Sequence, residues 1–338
     1  MLAAIGPLQP TSMPAPLLSL VIPMRNEAEC IAGLCDRLEA IIADLDEPCE
    51  VICVNDGSTD ATLTLLLERQ KTMSCLRIID LSRNFGKEAA LTAGLEAARG
   101  ACVVPLDADL QDPPELVGAM LEKWREGFEV VNAARSERRT DTAMKRLTAA
   151  LFYYVTNKIT DIEIPKNVGD FRLMDRKVVD AICALPERTR FNKGLFAWVG
   201  FRQTTLTYVR PPRAAGETKW KYWRLWNFAL DGITSFSSIP LRIWSYVGAA
   251  AASLSMIYAV AVVLRTLIFG IDVPGYASLI VTVMFFNGLT MLSLGAIGEY
   301  LSRIFIETKQ RPIYIVRALH EPSGEDPAAL ASGEEAAP

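Results

Sequence analysis

Two stretches of this chain stay free of charge for the length of a bilayer crossing. Neither Trp244 to Leu264 nor Tyr276 to Ile297 contains an Asp, Glu, Lys or Arg. A helix needs about 20 apolar residues to span the hydrocarbon core, and helices buried in a soluble core rarely lack charge for so long. Arg265 to Gly275 separates the two stretches and holds Asp272 and a Pro274-Gly275 turn. The pattern predicts a two-helix transmembrane hairpin over residues 243–300. Lys219, Lys221, Arg224 and Arg242 precede it, and Arg303, Lys309, Arg311 and Arg317 follow it. The connection offers only Arg265 against Asp272. Positive flanks stay cytoplasmic, so both termini are expected in the cytoplasm and the short loop outside.

Composition narrows the chemistry. The one histidine, His320, excludes Ser-His-Asp catalysis, His-rich zinc sites and HExxH proteases. A net charge of −4 excludes a globally basic nucleic-acid binder. The seven cysteines form no CxxC pair and read as reduced thiols. Residues 319–338, where His320 falls, hold five acidic residues and no Lys or Arg, and are expected as a disordered acidic tail. Residues 1–16 are Pro-rich, lack the basic start of a signal peptide and are expected disordered. Within 213–242, Trp220, Trp223 and Trp226 recur every three residues among Lys221 and Arg224. That spacing suits an amphipathic helix lying in the membrane interface.

Residues 17–212 read differently. Apolar runs at Leu17–Pro23, Glu50–Asn55, Leu76–Leu81, Ala101–Leu106 and Glu129–Ala134 alternate with helical patterns at Glu27–Asp44, after Asp60, at Lys87–Arg99 and at Pro114–Arg125. Such alternation predicts an α/β domain with a largely parallel sheet covered on both faces. Ligands bind at the carboxyl ends of the strands of such sheets, and polar residues cluster there: Asn26-Glu27, Asn55 to Asp60, and Asp107 to Asp112. Neither GxGxxG nor GxxxxGK[ST] occurs. Asp107, Asp109 and the Gln111 amide make a hard oxygen set for Mg²⁺ or Mn²⁺, which would neutralise a diphosphate leaving group. From spacing alone, helix capping by Asp109 and Asp112 stands equally open. Asp56 could accept from a nucleobase N–H, with the Gly57-Ser58 backbone facing the ribose, or form an Asx turn.

On these motifs the chain resembles a known family. Ser19-Leu-Val-Ile-Pro-Met-Arg-Asn-Glu27, Val54-Asn-Asp-Gly-Ser-Thr-Asp60 and Asp107-Ala-Asp-Leu-Gln-Asp-Pro-Pro-Glu115 are similar to family-2 glycosyltransferases with the Rossmann-like GT-A fold. Within these, the chain resembles polyprenyl-phosphate glycosyltransferases, the dolichyl-phosphate mannose synthase group and its bacterial undecaprenyl-phosphate relatives. Val168 to Arg176, Gly216 to Trp220, Gly298 to Arg303 and Arg311 to Ile315 extend the likeness. The resemblance implies that Pro23, Asn26, Glu27, Asp56 and Gly57 line the nucleotide-sugar pocket. Asp107, Asp109 and Gln111 would hold the metal and donor diphosphate. Asp170 and Asp109 would be catalytic, and Arg135, Arg146 and Lys219 would meet the acceptor phosphate.

The expectation is a metal-dependent membrane enzyme. It would transfer a sugar with inversion from a nucleotide sugar, UDP-glucose leading, to undecaprenyl phosphate for cell-envelope glycan modification. UDP-galactose, UDP-N-acetylglucosamine, a uronic acid or aminoarabinose donor, and GDP-mannose stay open. Alternatives are another lipid or protein acceptor, or a non-catalytic sugar-nucleotide-binding scaffold. By the resemblance it sits in the bacterial inner membrane as a multi-pass homo-oligomer, a tetramer, with the catalytic domain cytoplasmic, residues 301–318 forming a cytosolic segment and no nucleic-acid partner.

The charge asymmetry makes a test. In a background lacking the native cysteines, a cysteine at Asp272 should react with an impermeant thiol reagent outside intact cells. One at Ser323 should stay unlabelled, and the opposite pattern would invert the topology.

Overall fold

The computed structural model describes residues 16–136, 168–188, 190, 192–209, 239–269 and 275–322. The expected tryptophan-rich interfacial segment lies outside them, as do residues 1–15 and 323–338.

Alternation along the first strand explains the layered domain. In β1 (Leu18–Met24), Leu18, Leu20, Ile22 and Met24 enter one core cluster and Val21 the other. β2 (Cys49–Asn55) repeats this, with Val51 and Cys53 on one face and Ile52 and Val54 on the other. A strand apolar on both faces must be covered on both. Helices α1 (Ala28–Leu45), α2 (Thr62–Gln70) and α4 (Leu116–Arg125) bury Leu34, Leu66 and Met120 against the first face. Helices α3 (Lys87–Ala97), α5 (Arg176–Cys183) and α6 (Asn192–Trp198) bury Leu91, Val179 and Phe196 against the second. β3 (Leu76–Leu81), β4 (Cys102–Pro105), β5 (Val130–Arg135), β6 (Val168–Asp175), β7 (Gln203–Tyr208) and β8 (Val316–His320) complete the sheet.

The strand order is β7-β5-β6-β4-β1-β2-β3-β8. β3, β2, β1 and β4 run parallel, as β5 and β7 do with each other. β6 is antiparallel to β4 and β5, and β8 is antiparallel to β3. This is the expected mostly parallel, GT-A-like α/β domain. Two antiparallel strands were not evident from the run of apolar segments. The antiparallel β6 matters for function, because it starts where the parallel strands end.

One expectation needs correction. His320 and Glu321 are not in a disordered tail. His320 ends strand β8, and its carbonyl accepts from the Gln70 side chain at 2.8 Å. Glu321 takes both Nε (2.8 Å) and Nη2 (3.0 Å) of buried Arg77, whose Nη1 donates to Glu50 at 2.8 Å. A composition rich in Glu, Ala, Gly and Pro begins only after a residue that neutralises a buried guanidinium. A buried cation of this kind persists only when paired and hydrogen-bonded.

The second unit holds two long helices, α7 (Ile239–Phe269) and α8 (Tyr276–Lys309). At the usual rise they are about 46 and 51 Å long, longer than the roughly 30 Å hydrocarbon core. Among the described residues one stretch, Phe285–Lys309, is long and apolar enough to cross a membrane, while Tyr246–Tyr258 in α7 is apolar but shorter. On that criterion one of the two expected spans is met. Both helices expose large apolar side chains, including Leu267 at 78% and Phe285 at 64%.

The packing of α3 on the sheet rests on Gly94. A Cβ there would lie 2.2 Å from Val21 Cγ1, whereas one on Gly33 in α1 would meet nothing within 4 Å. Gly94→Ala should therefore cost about 1–3 kcal/mol by overpacking. Gly33→Ala should be neutral or stabilising by about 0.5–1 kcal/mol. Chemical denaturation of both variants checks the contrast, and equal midpoints would refute this account of the α3 contact.

Candidate active site

The loops after β1 and β2 are bound to each other before any ligand is considered. Asn26, in a left-handed conformation at φ 53°, donates its N–H to Ser58 Oγ at 3.0 Å and accepts the Thr59 N–H on Oδ1 at 2.8 Å. The Glu27 N–H reaches Thr62 Oγ1 at 3.0 Å. Asp60 accepts the N–H groups of Ala28 and Thr62 and so ties the starts of α1 and α2 together. Pro23, Asn26 and Glu27 remain partly exposed on this rim.

Asp56 is buried and accepts two backbone N–H groups, Phe85 on Oδ1 at 2.7 Å and Gly86 on Oδ2 at 2.9 Å. It thereby holds the turn that launches α3, and each oxygen keeps a further lone pair. Gly57, at φ 58°, lies under that turn, and a Cβ would come 2.4 Å from the Arg83 carbonyl carbon. No other residue fits there without moving the backbone.

The turn delivers Lys87, which the sequence reading did not single out. Its Nζ lies 2.5 Å from Asp107 Oδ1 and 2.8 Å from Asp170 Oδ2. Desolvation pulls the ammonium pKa down, but Asp170 and then Asp107 outweigh it and hold the pKa above the ordinary lysine value. A lysine at a helix N-terminus opposes the helix dipole. That local conflict, at Gly86-Lys87 ahead of Glu88, was the available sequence signal.

Asp170 arrives from another direction. It is the third residue of antiparallel β6, whose first residue pairs with Ala134 near the end of β5. Of the nearby arginines, Arg172 Nη2 donates to the Gly169 carbonyl at 2.7 Å, and Arg176 donates to the Gly100 carbonyl. Arg172 is buried with its guanidinium 4.3 Å from the Phe196 ring centroid. Burial lowers its pKa to about 10, so it stays charged at neutral pH.

Along the β4–α4 loop, Leu110 takes a left-handed φ of 55°, which folds Gln111 back so that its N–H reaches Asp109 Oδ1 at 3.2 Å. Gln111 is buried, and its Oε1 has no hydrogen-bond partner among the described residues. No three acidic, Cys or His side chains converge there among the described residues. The available donors are Asp107, Asp109 and the Gln111 amide oxygen, a hard set that suits Mg²⁺ or Mn²⁺. The alternative of Asp109 and Asp112 as helix caps is not seen, since α4 starts at Leu116 without a side-chain cap.

Asp112 instead accepts the Tyr208 hydroxyl at 2.6 Å. Burial and then this bond push the Tyr208 pKa up to about 12. Arg135 completes the group, donating Nε to Tyr208 Oη at 3.3 Å with Nη2 3.8 Å from Asp112. Tyr208 is the second residue missed in the sequence. It closes β7, a strand that no motif marks. Arg146 and Lys219 lie outside the described residues.

Comparison with known proteins shows the family of the chain. The model of glycosyl transferase family 2 matches residues 19–183. An uncharacterized glycosyltransferase of Synechocystis is 54% identical over 89% of this chain and 95% of its own length. The prophage bactoprenol glucosyl transferase homolog of Escherichia coli is 46% identical over 89% and 98%. The bactoprenol glucosyl transferase of Shigella phage SfII is 45% identical over 90% and 98%.

Tyr208→Phe removes the 2.6 Å hydrogen bond to Asp112, which is 4% exposed. Unfolding free energy should fall by about 1.5–3 kcal/mol, the usual contribution of a hydrogen bond to a charged group. An unchanged denaturation midpoint would show that Asp112 is held by other contacts.

Proposed function

The chain belongs to glycosyl transferase family 2, and from that premise we propose that it transfers glucose from UDP-glucose to the phosphate of undecaprenyl phosphate, with inversion. The observation that carries this reading is the Asp107–Lys87–Asp170 ion group at the carboxyl edge of the sheet, in a chain similar over most of its length to bactoprenol glucosyl transferases.

The reaction forms a bond from an acceptor phosphate oxygen to the anomeric carbon and breaks the bond from that carbon to the β-phosphate oxygen. The nucleoside diphosphate leaves with the electron pair. A phosphate monoester with a second pKa of about 6 is largely dianionic at neutral pH, so the acceptor needs no strong base. Asp170 then orients the sugar and steadies positive charge developing at its anomeric carbon, while Lys87 holds the Asp170 carboxylate in place through their ion pair. Asp107, Asp109 and Gln111 would hold Mg²⁺ or Mn²⁺, which offsets charge on the departing diphosphate. Pro23, Asn26, Glu27, Asp56 and Gly57 line the nucleotide pocket, with the remaining lone pairs of Asp56 facing the base. Arg135 meets the acceptor phosphate; Arg146 and Lys219 supply further cations.

The acceptor is a membrane lipid, and the long apolar faces of α7 and α8 support anchoring as a two-helix hairpin in the bacterial inner membrane, both termini cytoplasmic. Exposed apolar area on that scale marks a membrane or partner surface. Gly248, the Ala249–Ala252 run and Ser253 supply small residues for helix packing, which supports a homo-oligomer.

The test is a panel of nucleotide sugars offered to detergent-solubilised protein with undecaprenyl phosphate and Mn²⁺, read by mass spectrometry. UDP-glucose should give undecaprenyl-phosphate-glucose, and EDTA should abolish it. Asp170→Asn and Lys87→Met should each lower turnover by about 10²-fold, the scale of a positioned catalytic group, with UDP binding retained. Product from another sugar would replace the donor assignment, and near wild-type turnover in both variants would remove the roles given to this pair.

A further inference from the structure

The geometry points to Arg317, on the C-terminal strand β8, as a positioning residue for the nucleotide pocket that acts through Asp80 and Asn55. The inference rests on the reading of the β1 and β2 loops as nucleotide-binding.

Arg317 occupies an irregular place in the sheet. Asp80 pairs with Ala318 and Leu81 with Val316, so Arg317 is the extra residue of a bulge. Bulges re-aim side chains and concentrate beside active sites. Here the guanidinium turns back over the end of β3. Its Nε lies 3.4 Å from Asp80 Oδ2, and its Nη2 donates to the carbonyls of Leu81 at 3.1 Å and Ser82 at 3.2 Å. Arg317 is half-exposed, but Asp80 is only 3% exposed.

From Asp80 the connection runs inward through buried groups. Asp80 Oδ1 accepts Asn55 Nδ2 at 2.7 Å. An asparagine amide has one donor end and one acceptor end. Committing Nδ2 to Asp80 therefore turns Oδ1 towards the next loop, where it accepts the Ser58 N–H at 3.3 Å. Ser58 Oγ in turn accepts the Asn26 N–H. The residue after Asn55 is Asp56, and Gly57 lies within the same loop. One carboxylate, kept in place by Arg317, thus sets the amide orientation on which both pocket loops depend.

A residue that merely fastened β8 to β3 would change stability and leave ligand affinity alone. Arg317→Gln separates the two roles: the amide can still donate to the Leu81 and Ser82 carbonyls, but the charge facing Asp80 is gone. The full-length chain in detergent with Mn²⁺ is titrated with UDP by calorimetry, alongside thermal unfolding and kinetics. In Arg317→Gln the UDP Kd should rise by at least about fivefold, the scale of one lost hydrogen bond. The KM for undecaprenyl phosphate should not move. Arg317→Lys should recover most of the affinity. Asp80→Asn should weaken UDP similarly, and combining it with Arg317→Gln should add little, as expected for residues acting in series. A UDP Kd within about twofold of wild type in Arg317→Gln, a difference of under 0.5 kcal/mol, overturns the inference while leaving the nucleotide pocket intact. A wild-type chain that binds neither UDP nor GDP overturns the pocket reading itself. If Arg317→Gln does not fold, Asp80→Asn alone decides by the same Kd criterion.

Discussion

Mutual repulsion among carboxylates is the constraint that this sheet edge has to solve. Asp56, Asp107, Asp109, Asp112 and Asp170 all stand at the carboxyl ends of the parallel strands or at the start of β6. Each has a specific compensation, which for Asp109 is the Gln111 N–H on Oδ1 at 3.2 Å. Asp56 takes two backbone N–H groups, Asp112 takes a phenol with an arginine behind it, and Asp107 and Asp170 share the Lys87 ammonium. Like charges this close destabilise one another unless neutralised. The turn that carries Lys87 is itself held by Asp56, so compensation of one carboxylate positions the cation that compensates two others.

The opposite edge of the domain is governed by a second buried charge. Arg77 lies on β3, where a sheet with only the strands up to β7 would present an open edge. β8 covers that edge, and Glu321 just beyond it meets Arg77 together with Glu50. Glu50 is fixed further by the Ser19 hydroxyl at 2.5 Å and the Arg99 N–H at 2.6 Å. An unpaired edge strand is a liability, and an unpaired buried guanidinium is a larger one. The same short strand settles both, and the chain supplies it only after α8.

The two units place their apolar side chains differently. In the first, apolar side chains alternate between two faces of a sheet and are covered by helices. In the second, α7 and α8 leave large apolar side chains exposed along their length. The hydrophobic effect accounts for the first arrangement in water. The second arrangement is what supports the membrane anchoring proposed above.

Much of this was legible in the sequence by itself. Strands β1 to β5 and helices α1 to α4 follow from local apolar periodicity and stand within a few residues of where it puts them. The placement of Asp107, Asp109 and Gln111 in one loop after β4 was legible because they are neighbours in the chain, as was that of Asn26, Glu27 and Asp56 at strand ends. What tertiary structure decided involves partners far apart in sequence. Lys87 meets Asp107 and Asp170 only because β6 runs antiparallel and starts at the edge where β4 ends. Tyr208 meets Asp112 because β7 lies beside β5. Glu321, read from composition as part of a solvated tail, instead neutralises Arg77 across 244 residues of chain. Periodicity reports which face of an element is buried, but the partner of a buried charge is set by strand order, which no local pattern encodes.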